Sequence, residues 1–175
     1  MLRLVLPSTK YKVSFLKAVK EVKRAKPDLS HSYAKLDYDK IKEDFDGFVK
    51  KIKLRAQGIG LQKGYIPDTV YWLVDGDTYI GRVSIRHWLT PNLRRIGGHI
   101  GYETRPSERR KGYGAKMLEL ALPKAKKLGI KKVLITCDET NIGSKKIIEK
   151  NGGKFEDKYK MGPGKPDKLR YWIKL

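Results

Sequence analysis

Cysteine, long apolar runs and clustered metal ligands are scarce or missing in this sequence. With Cys137 as its one cysteine, an internal disulfide is excluded, and a reducing cytoplasm is the expected compartment. No run approaches the ~18 apolar residues of a membrane-spanning helix, and the apolar stretch at the start ends at Pro7, too short for a signal peptide. The three histidines show no metal-ligand spacing: His31, His87 and His99. We therefore expect a cytoplasmic protein with no membrane segment and no bound metal.

Acidic residues are also in short supply. The chain has 19 of them against 40 lysines and arginines, which gives a formal net charge of +21. Such a charge predicts salt-dependent attraction to phosphates and anionic surfaces. The lysines are spread along the chain and form no basic tail, which is typical of a solvated surface. An acidic or nucleic-acid-associated partner stays open, because the charge alone does not identify it.

A length of 175 residues predicts one domain, covering 1–175, with one sizeable core. Hydrophobic periodicity and turn residues predict a mixed α/β fold with helices on both sides of a central sheet. The first helix is expected to end before Pro27, and Pro123 is expected to kink or split the third predicted helix, residues 111–128. The predicted strands are 2–6, 70–74, 78–85, 96–104, 133–136, 155–159 and 169–173, and the predicted helices are 8–25, 39–55, 111–128 and 142–150.

The stretch that carries chemistry is a strand, a short turn and a helix, with the turn at residues 109–115. A glycine-rich turn at a helix start leaves backbone N–H groups without partners, and the helix dipole adds positive charge there. Arg109, Arg110 and Lys111 place full charges at the same point, and Gly112 and Gly114 leave room for an oxyanion beside the main chain. The turn therefore predicts a phosphate or diphosphate site.

This turn, the strand Ile-Gly-Tyr-Glu before it, and the later segment from Asp138 through Asn141 and Ser144 to Gly153 resemble the GNAT superfamily of acetyl-CoA-dependent N-acetyltransferases. The predicted order of elements matches that fold too. The resemblance is strongest from Thr78 to Phe155, and residues 81–101 look like a subgroup of predicted acetyltransferases. It implies a central, mixed, mostly antiparallel sheet flanked by helices, with acetyl-CoA as the cosubstrate and no metal.

The resemblance also implies where the coenzyme is held. Main-chain groups of Tyr102 and Thr104 would pair with the pantetheine arm, and the Tyr102 amide would polarise the thioester carbonyl. Asn141 matches the asparagine that hydrogen-bonds this arm, and Lys145 or Lys146 would reach the coenzyme phosphates. The full set implied for the coenzyme is Tyr102, Thr104, Arg109, Arg110, Lys111, Gly112, Tyr113, Gly114, Ala115, Asn141, Ser144 and Lys146.

One departure from the family concerns the group that protonates the departing thiolate. Many relatives use a tyrosine on the last helix, and Ile148 stands at that position here. The substitutes are Tyr102, Tyr113, Tyr159 or water, since a thiol with a pKa of about 8.5 is a modest leaving group at neutral pH.

The attacking amine must lose its proton, which calls for a general base. Glu103 and His99 are the first candidates, and Asp138 and Glu139 are weaker ones. Each has a structural alternative: an ion pair for Glu103, a hydrogen-bonded strand position for His99, and a helix cap for the other two. The family chemistry implies direct attack within a ternary complex.

The acceptor amine belongs to an unidentified small molecule or protein. In this fold the acceptor contacts come from the first two helices and variable loops, here residues 27–68, and His87 and Trp88 are further candidates for the pocket border. A polycationic acceptor fits poorly beside a net charge of +21. The alternative function is a non-catalytic module of the same fold that binds RNA or ribosomal particles. Monomer and homodimer both stay open.

Overall fold

The computed structural model describes residues 1–25 and 35–175. Seven strands and five α-helices make up this part of the chain, with short 3₁₀ and π-helical turns between them. In chain order they are β1 (Leu2–Val5), α1 (Lys12–Arg24), α2 (Tyr38–Glu43), α3 (Phe45–Leu54), β2 (Asp68–Asp75), β3 (Thr78–Arg86), β4 (Ile100–Thr104), α4 (Tyr113–Lys127), β5 (Lys132–Asp138), α5 (Ile142–Lys150), β6 (Lys154–Tyr159) and β7 (Lys168–Lys174).

The strands form two sheets, one with the order β1-β2-β3-β4 and the other with the order β5-β7-β6. Neighbouring strands are antiparallel in both sheets. Asp75 and Gly76 make the tight β2–β3 turn, where Gly76 has a φ of 54° that the sequence Asp-Gly supplies readily. The predicted fold class, a mostly antiparallel sheet flanked by helices, is confirmed.

Two hydrophobic cores lie on opposite faces of the first sheet. An aromatic cluster under α1, α2 and α3 includes Phe15, Phe45, Trp72 and Tyr79, and the Phe15 and Trp72 rings stack at 4.7 Å. The second core, under α4 and α5, is mainly aliphatic and extends onto the second sheet through Val133 and the neighbouring apolar residues of β5. This second core places both helices beside β4, where the chemistry is expected.

Three predicted boundaries differ from the structure. The expected helix 39–55 is two helices, because the Asp44 side chain accepts a hydrogen bond from the Gly47 amide (2.8 Å) and caps a new helix. The expected strand 96–104 begins only at Ile100, after a π-helical turn at Leu93–Gly97. Pro123 does not split α4, which runs unbroken from Tyr113 to Lys127 with Pro123 on its exposed side. Pro27 and His31 lie outside the described residues.

Candidate active site

The turn at residues 109–115 presents unpaired amides at the start of α4. Gly112 is the N-cap residue of α4 and has a φ of 82°, and Arg110 has a φ of 61°. The first backbone bond of the helix is from Lys116 to Gly112. Within the described residues no acceptor lies within hydrogen-bonding distance of the N–H groups of residues 110–115. Six donors at the positive end of a helix dipole form a site suited to a diphosphate.

A buried ion pair holds the segment that leads from β4 into this turn. The Arg105 guanidinium, with 5% of its side chain exposed, pairs with Glu21 of α1 and also donates to the Tyr79 carbonyl (3.0 Å). The Ser107 hydroxyl donates to the same Glu21 carboxylate (2.8 Å). These hydrogen bonds, with that of Arg105 first, lower the pKa of Glu21 below its usual value, so the carboxylate stays charged at neutral pH. These bonds therefore fix the segment between β4 and the turn to α1.

Gly112 and Gly114 have different structural roles in the turn. A Cβ on Gly112 would meet nothing within 4 Å, so this glycine is needed for its positive φ and leaves the approach to the amides open. A Cβ on Gly114 would lie 2.6 Å from Cδ1 of Ile147 on α5. Gly114 therefore lets α4 pack closely against α5, a role that adds to the space for phosphate oxygens predicted from the sequence.

The register of β4 directs the main-chain N–H and C=O groups of two of its residues away from β3. Backbone hydrogen bonds define the ladder at both ends, from Arg86 to His99 (2.8 Å) and from Arg105 to Ile80 (3.0 Å). Since antiparallel pairs alternate between bonded and non-bonded positions, Tyr102 opposite Val83 and Thr104 opposite Gly81 occupy the non-bonded positions. Their N–H and C=O groups therefore point away from β3, and the Thr104 carbonyl accepts a bond from Nε of Arg109 (3.3 Å).

The Tyr102 side chain reaches α5. Its hydroxyl lies 2.8 Å from the Ser144 hydroxyl, and burial raises the pKa of Tyr102 to about 12. Cys137, at the end of β5, is buried, and burial also raises the pKa of its thiol. Ile148 is fully buried in the core, so the position of the family's tyrosine holds a packing residue. Of the three substitutes considered, Tyr102 is the one whose hydroxyl the structure places between β4 and α5.

The remaining coenzyme candidates lie at the start of α5 and on its surface. The Asn141 side chain accepts a hydrogen bond from the Ser144 amide (2.9 Å) and caps α5, which leaves its NH₂ group for another partner. Lys146 is exposed on the same helix and Lys145 is half-buried. Tyr113 packs against the second core, and Tyr159 ends β6.

His99 joins the two sheets. The backbone N–H of His99 donates to the Leu134 carbonyl (2.7 Å), and Nδ1 of the His99 ring accepts from the Leu134 backbone amide (2.9 Å). Gly98, with a φ of 63°, allows this approach, because a Cβ there would lie 2.6 Å from the Leu134 carbonyl oxygen. Burial, helped by the charges of Arg86 and Arg94, lowers the pKa of His99 to about 4. Past this junction β4 and β5 are not paired in the described residues, which leaves an opening between them.

This junction predicts a pH-dependent stability. Between the ordinary histidine pKa of 6.5 and about 4, the unfolded chain binds a proton at His99 that the folded chain does not. The free energy of unfolding should therefore fall on going from pH 7 to pH 4.5, by on the order of 2–3 kcal/mol. His99→Asn keeps an acceptor at the δ position and should lose most of this decrease. Urea unfolding of both proteins at several pH values measures it, and parallel pH curves would contradict the assignment.

Glu103 lies on the other face of β4, opposite Arg82 in the sheet register. On that face Arg82, Ser84 and Arg86 line a cavity of 880 Å³ between β3, α3 and the loop before β2. Its far wall includes Arg55, whose Nε donates to the buried carboxylate of Asp68 (2.8 Å). These arginines were not among the site residues predicted from the sequence, although polar residues at every second position of β3 were a usable signal.

The weaker base candidates are paired elsewhere. Asp138 pairs with Lys168, and Glu139 lies 3.1 Å from the Lys158 ammonium. Nε2 of His87 lies 2.9 Å from the Thr69 hydroxyl, whereas Trp88 remains 51% exposed. No group of three or more metal-ligating side chains occurs in residues 1–25 and 35–175. No helix in those same ranges is long and apolar enough to cross a membrane.

The chain is similar in sequence to a known protein family. The sequence model described as "Acetyltransferase (GNAT) domain" matches residues 15–154. No curated protein matches the chain with significance.

Among solved structures, RimL, a ribosomal L7/L12 alpha-N-protein acetyltransferase in complex with coenzyme A, has a TM-score of 0.70 at 17% identity, over 99% of this chain and 94% of that one. The microcin C7 self-immunity acetyltransferase MccE, in complex with acetyl-CoA and AMP, has a TM-score of 0.72 at 15% identity, over 99% and 92%. RimJ of Mycobacterium smegmatis, in complex with CoA-disulfide, has a TM-score of 0.70 at 14% identity, over 99% and 82%. At such identities the likeness concerns the fold.

Proposed function

Since the chain belongs to the GNAT acetyltransferase family and is an N-acetyltransferase with acetyl-CoA as its cosubstrate, we propose that it acetylates a primary amine of a protein or peptide by direct attack within a ternary complex. The observation that carries the proposal is the set of six unpaired N–H groups at residues 110–115. They supply a diphosphate site at the start of α4 without any rearrangement of the chain.

The coenzyme would run from this turn along β4. The outward main chain of Thr104 and Tyr102 continues from the turn, and its direction away from β3 supports pairing with an extended pantetheine arm. The Tyr102 N–H would then donate to the thioester oxygen as negative charge develops on it, an effect worth about 3 kcal/mol in comparable sites. Asn141 would contribute its free NH₂ group, and Lys146 would meet the outer phosphates.

Glu103 is the general base that the geometry favours. Its side chain lies on the face of β4 that borders the cavity, beside the strand positions whose amides point into the opening. His99 is less suited, because Nδ1 of its ring already accepts the Leu134 amide and the ring joins the sheets. We therefore assign Glu103 to proton removal from the amine, directly or through water, and give His99 a positioning role.

The hydroxyls of Tyr102 and Ser144 would stabilise the departing thiolate. With a pKa of about 12 for Tyr102 against about 8.5 for a thiol, complete proton transfer is uphill. The hydroxyl would instead donate a hydrogen bond and remain neutral. The thiolate then takes its proton from water at neutral pH, which accounts for a site that works with Ile148 at the position of the usual tyrosine.

The acceptor class draws support from the neighbours and from the cavity. RimL acts on the α-amine of a protein, and the 880 Å³ cavity beside Glu103 is large enough for several residues of an extended chain. The non-catalytic alternative is not favoured, because it gives no role to the unpaired amides of the turn. A nucleic-acid-associated protein remains compatible with the net charge of +21.

A product screen tests the acceptor class. We expect thiol release from acetyl-CoA, and a mass gain of one acetyl group, with peptides that have a free α-amine. The same peptides blocked at the N terminus, with and without a free lysine, distinguish α- from side-chain amines. Products formed only from small non-peptide amines would contradict the peptide acceptor. Salt-sensitive RNA binding with no thiol release from any amine would favour the non-catalytic alternative.

A further inference from the structure

The cavity beside Glu103 carries an unusual excess of positive charge. Its described lining contains five basic side chains and one acidic side chain. The basic ones are Lys35, Lys51, Arg55, Arg82 and Arg86, and the acidic one is Asp68.

Asp68 does not balance this charge. It is 5% exposed, and Arg55 holds it through both Nε (2.8 Å) and Nη2 (2.6 Å). Both contacts go to the same oxygen, Oδ1 of Asp68, so this carboxylate is paired with Arg55. Glu103, just outside the lining and opposite Arg82 in the register, is a second carboxylate on this face of β3 and β4. Among the described residues, the five basic side chains of the lining therefore outnumber these two acidic side chains by three.

Arg86 has donors available for a ligand. Its Nη1 donates to the carbonyls of Gly97 and Gly98 (2.8 Å each), which fixes the guanidinium plane at the end of β3. The described residues offer no acceptor to its Nε and Nη2 groups. Burial lowers the pKa of Arg86, Asp68 opposes this shift, and Arg82 and Arg55 add to it, so three guanidinium groups sense each other in a partly water-excluded space. An anion bound among them would relieve that repulsion.

We propose that this cavity binds an acidic side chain of the acceptor peptide, with Arg86 and Lys51 as determinants of specificity, so that the preferred substrate is an N terminus followed closely by aspartate or glutamate. This inference rests on the proposed function, since it concerns the acceptor of the same reaction. The peptide's carboxylate would lie at the side of the cavity that Arg86 and Lys51 line, and its amine would lie at the side near Glu103.

The register gives the spacing. The Tyr102 amide and the strand pair of Arg86 with His99 are three residues apart along β4, on the order of 10 Å at about 3.3 Å per residue. An extended peptide that runs along the sheet covers that distance in about three residues. The preference should therefore be strongest for an acidic side chain near the third residue of the acceptor.

Matched peptides test the inference. A serine-initiated, alanine-rich hexapeptide amide with asparagine at the third residue is compared with its aspartate and lysine versions by kcat/KM in low and high salt. We expect aspartate to exceed asparagine at least tenfold in low salt and lysine to be the poorest. High salt should reduce the difference. Equal values for the three peptides, or a preference for lysine, overturn the inference and leave the peptide acceptor standing. If none of the three peptides is acetylated, both the inference and the proposed peptide acceptor are overturned.

Charge reversal on the protein supplies the second readout. Lys51→Glu, in the cavity wall, should reduce the aspartate preference about tenfold and improve the lysine peptide. Lys50→Glu makes the same charge change at the adjacent exposed position of α3, which does not line the cavity, and should leave the order of the three peptides unaltered. If both variants changed the peptide preference equally, the preference would come from the overall positive charge of the protein surface. That result would overturn the assignment to this cavity.

Discussion

Gly112→Asp is expected to weaken acetyl-CoA binding by about 100-fold or more. Gly112 has a φ of 82°, and the direction of a Cβ at this residue is open, with nothing within 4 Å. A carboxylate there would stand beside the diphosphate that the turn amides are proposed to bind. Two like charges about 5 Å apart at an effective dielectric of 20 repel by about 3 kcal/mol, which corresponds to the expected loss.

Gly112→Asn is the matched control. Asparagine has nearly the same shape and tolerates the left-handed region, so the conformational cost of about 1 kcal/mol is common to both variants. Aspartate also favours a helix N-cap position, so the loss cannot come from destabilisation of α4. Calorimetric titration with acetyl-CoA and thermal unfolding of both variants measure the difference. Equal affinities for the two variants would show that no phosphate lies at this turn.

Glu103→Gln should reduce kcat by about 100- to 1,000-fold, the range typical of a lost general base. The amide keeps the size of the side chain, and Glu103 faces the cavity side of β4, away from the turn at residues 109–115. Acetyl-CoA affinity should therefore stay within about twofold. Residual activity should rise steeply with pH, because the variant depends on amine that is already neutral in solution, and an alkylamine has a pKa of about 10.4.

The control for this variant is Glu119→Gln on the exposed surface of α4, where Glu119 pairs with Lys116 (2.6 Å). It makes the same chemical change outside the site and should have wild-type kinetics. Steady-state rates between pH 6 and 10, with coenzyme titrations, measure both. A kcat for Glu103→Gln within threefold of the wild type at neutral pH would remove Glu103 from the proton transfer.

Local structure could be predicted well from the sequence. The turn proposed to bind the diphosphate combines a glycine at a left-handed position, unpaired amides at a helix start and nearby cations, and Gly112, Arg110 and Lys111 are neighbours in the chain. The same holds for the Asp75-Gly76 hairpin. The cap of α5 was not predicted correctly, because Asp138 and Glu139 were the expected cap residues and Asn141 is the one that caps the helix. The order of strands and helices followed from periodicity, and with the motifs it predicted the family that the sequence comparison then confirmed.

Side-chain roles that depend on distant partners were not predictable in this way. His99 was predicted as a base candidate, and only the structure shows that its ring nitrogen accepts the Leu134 amide. Gly114 was predicted as part of the phosphate site, and only the structure shows that a Cβ there would lie 2.6 Å from Cδ1 of Ile147. In both cases the deciding atom lies more than 30 residues away along the chain, and periodicity carries no information about such a contact.

By itself, the sequence determined the element order and the family, and it predicted the turn proposed here to bind phosphate, because each depends on residues that are close together in the chain. The tertiary structure alone decided which face of β4 each side chain occupies and what it meets there. It brought Arg82 and Arg86 from β3 together with Arg55 and Asp68 around one cavity. The reason is physical: burial and charge at a site are sums over neighbours in space, and those neighbours come from separate strands, helices and loops.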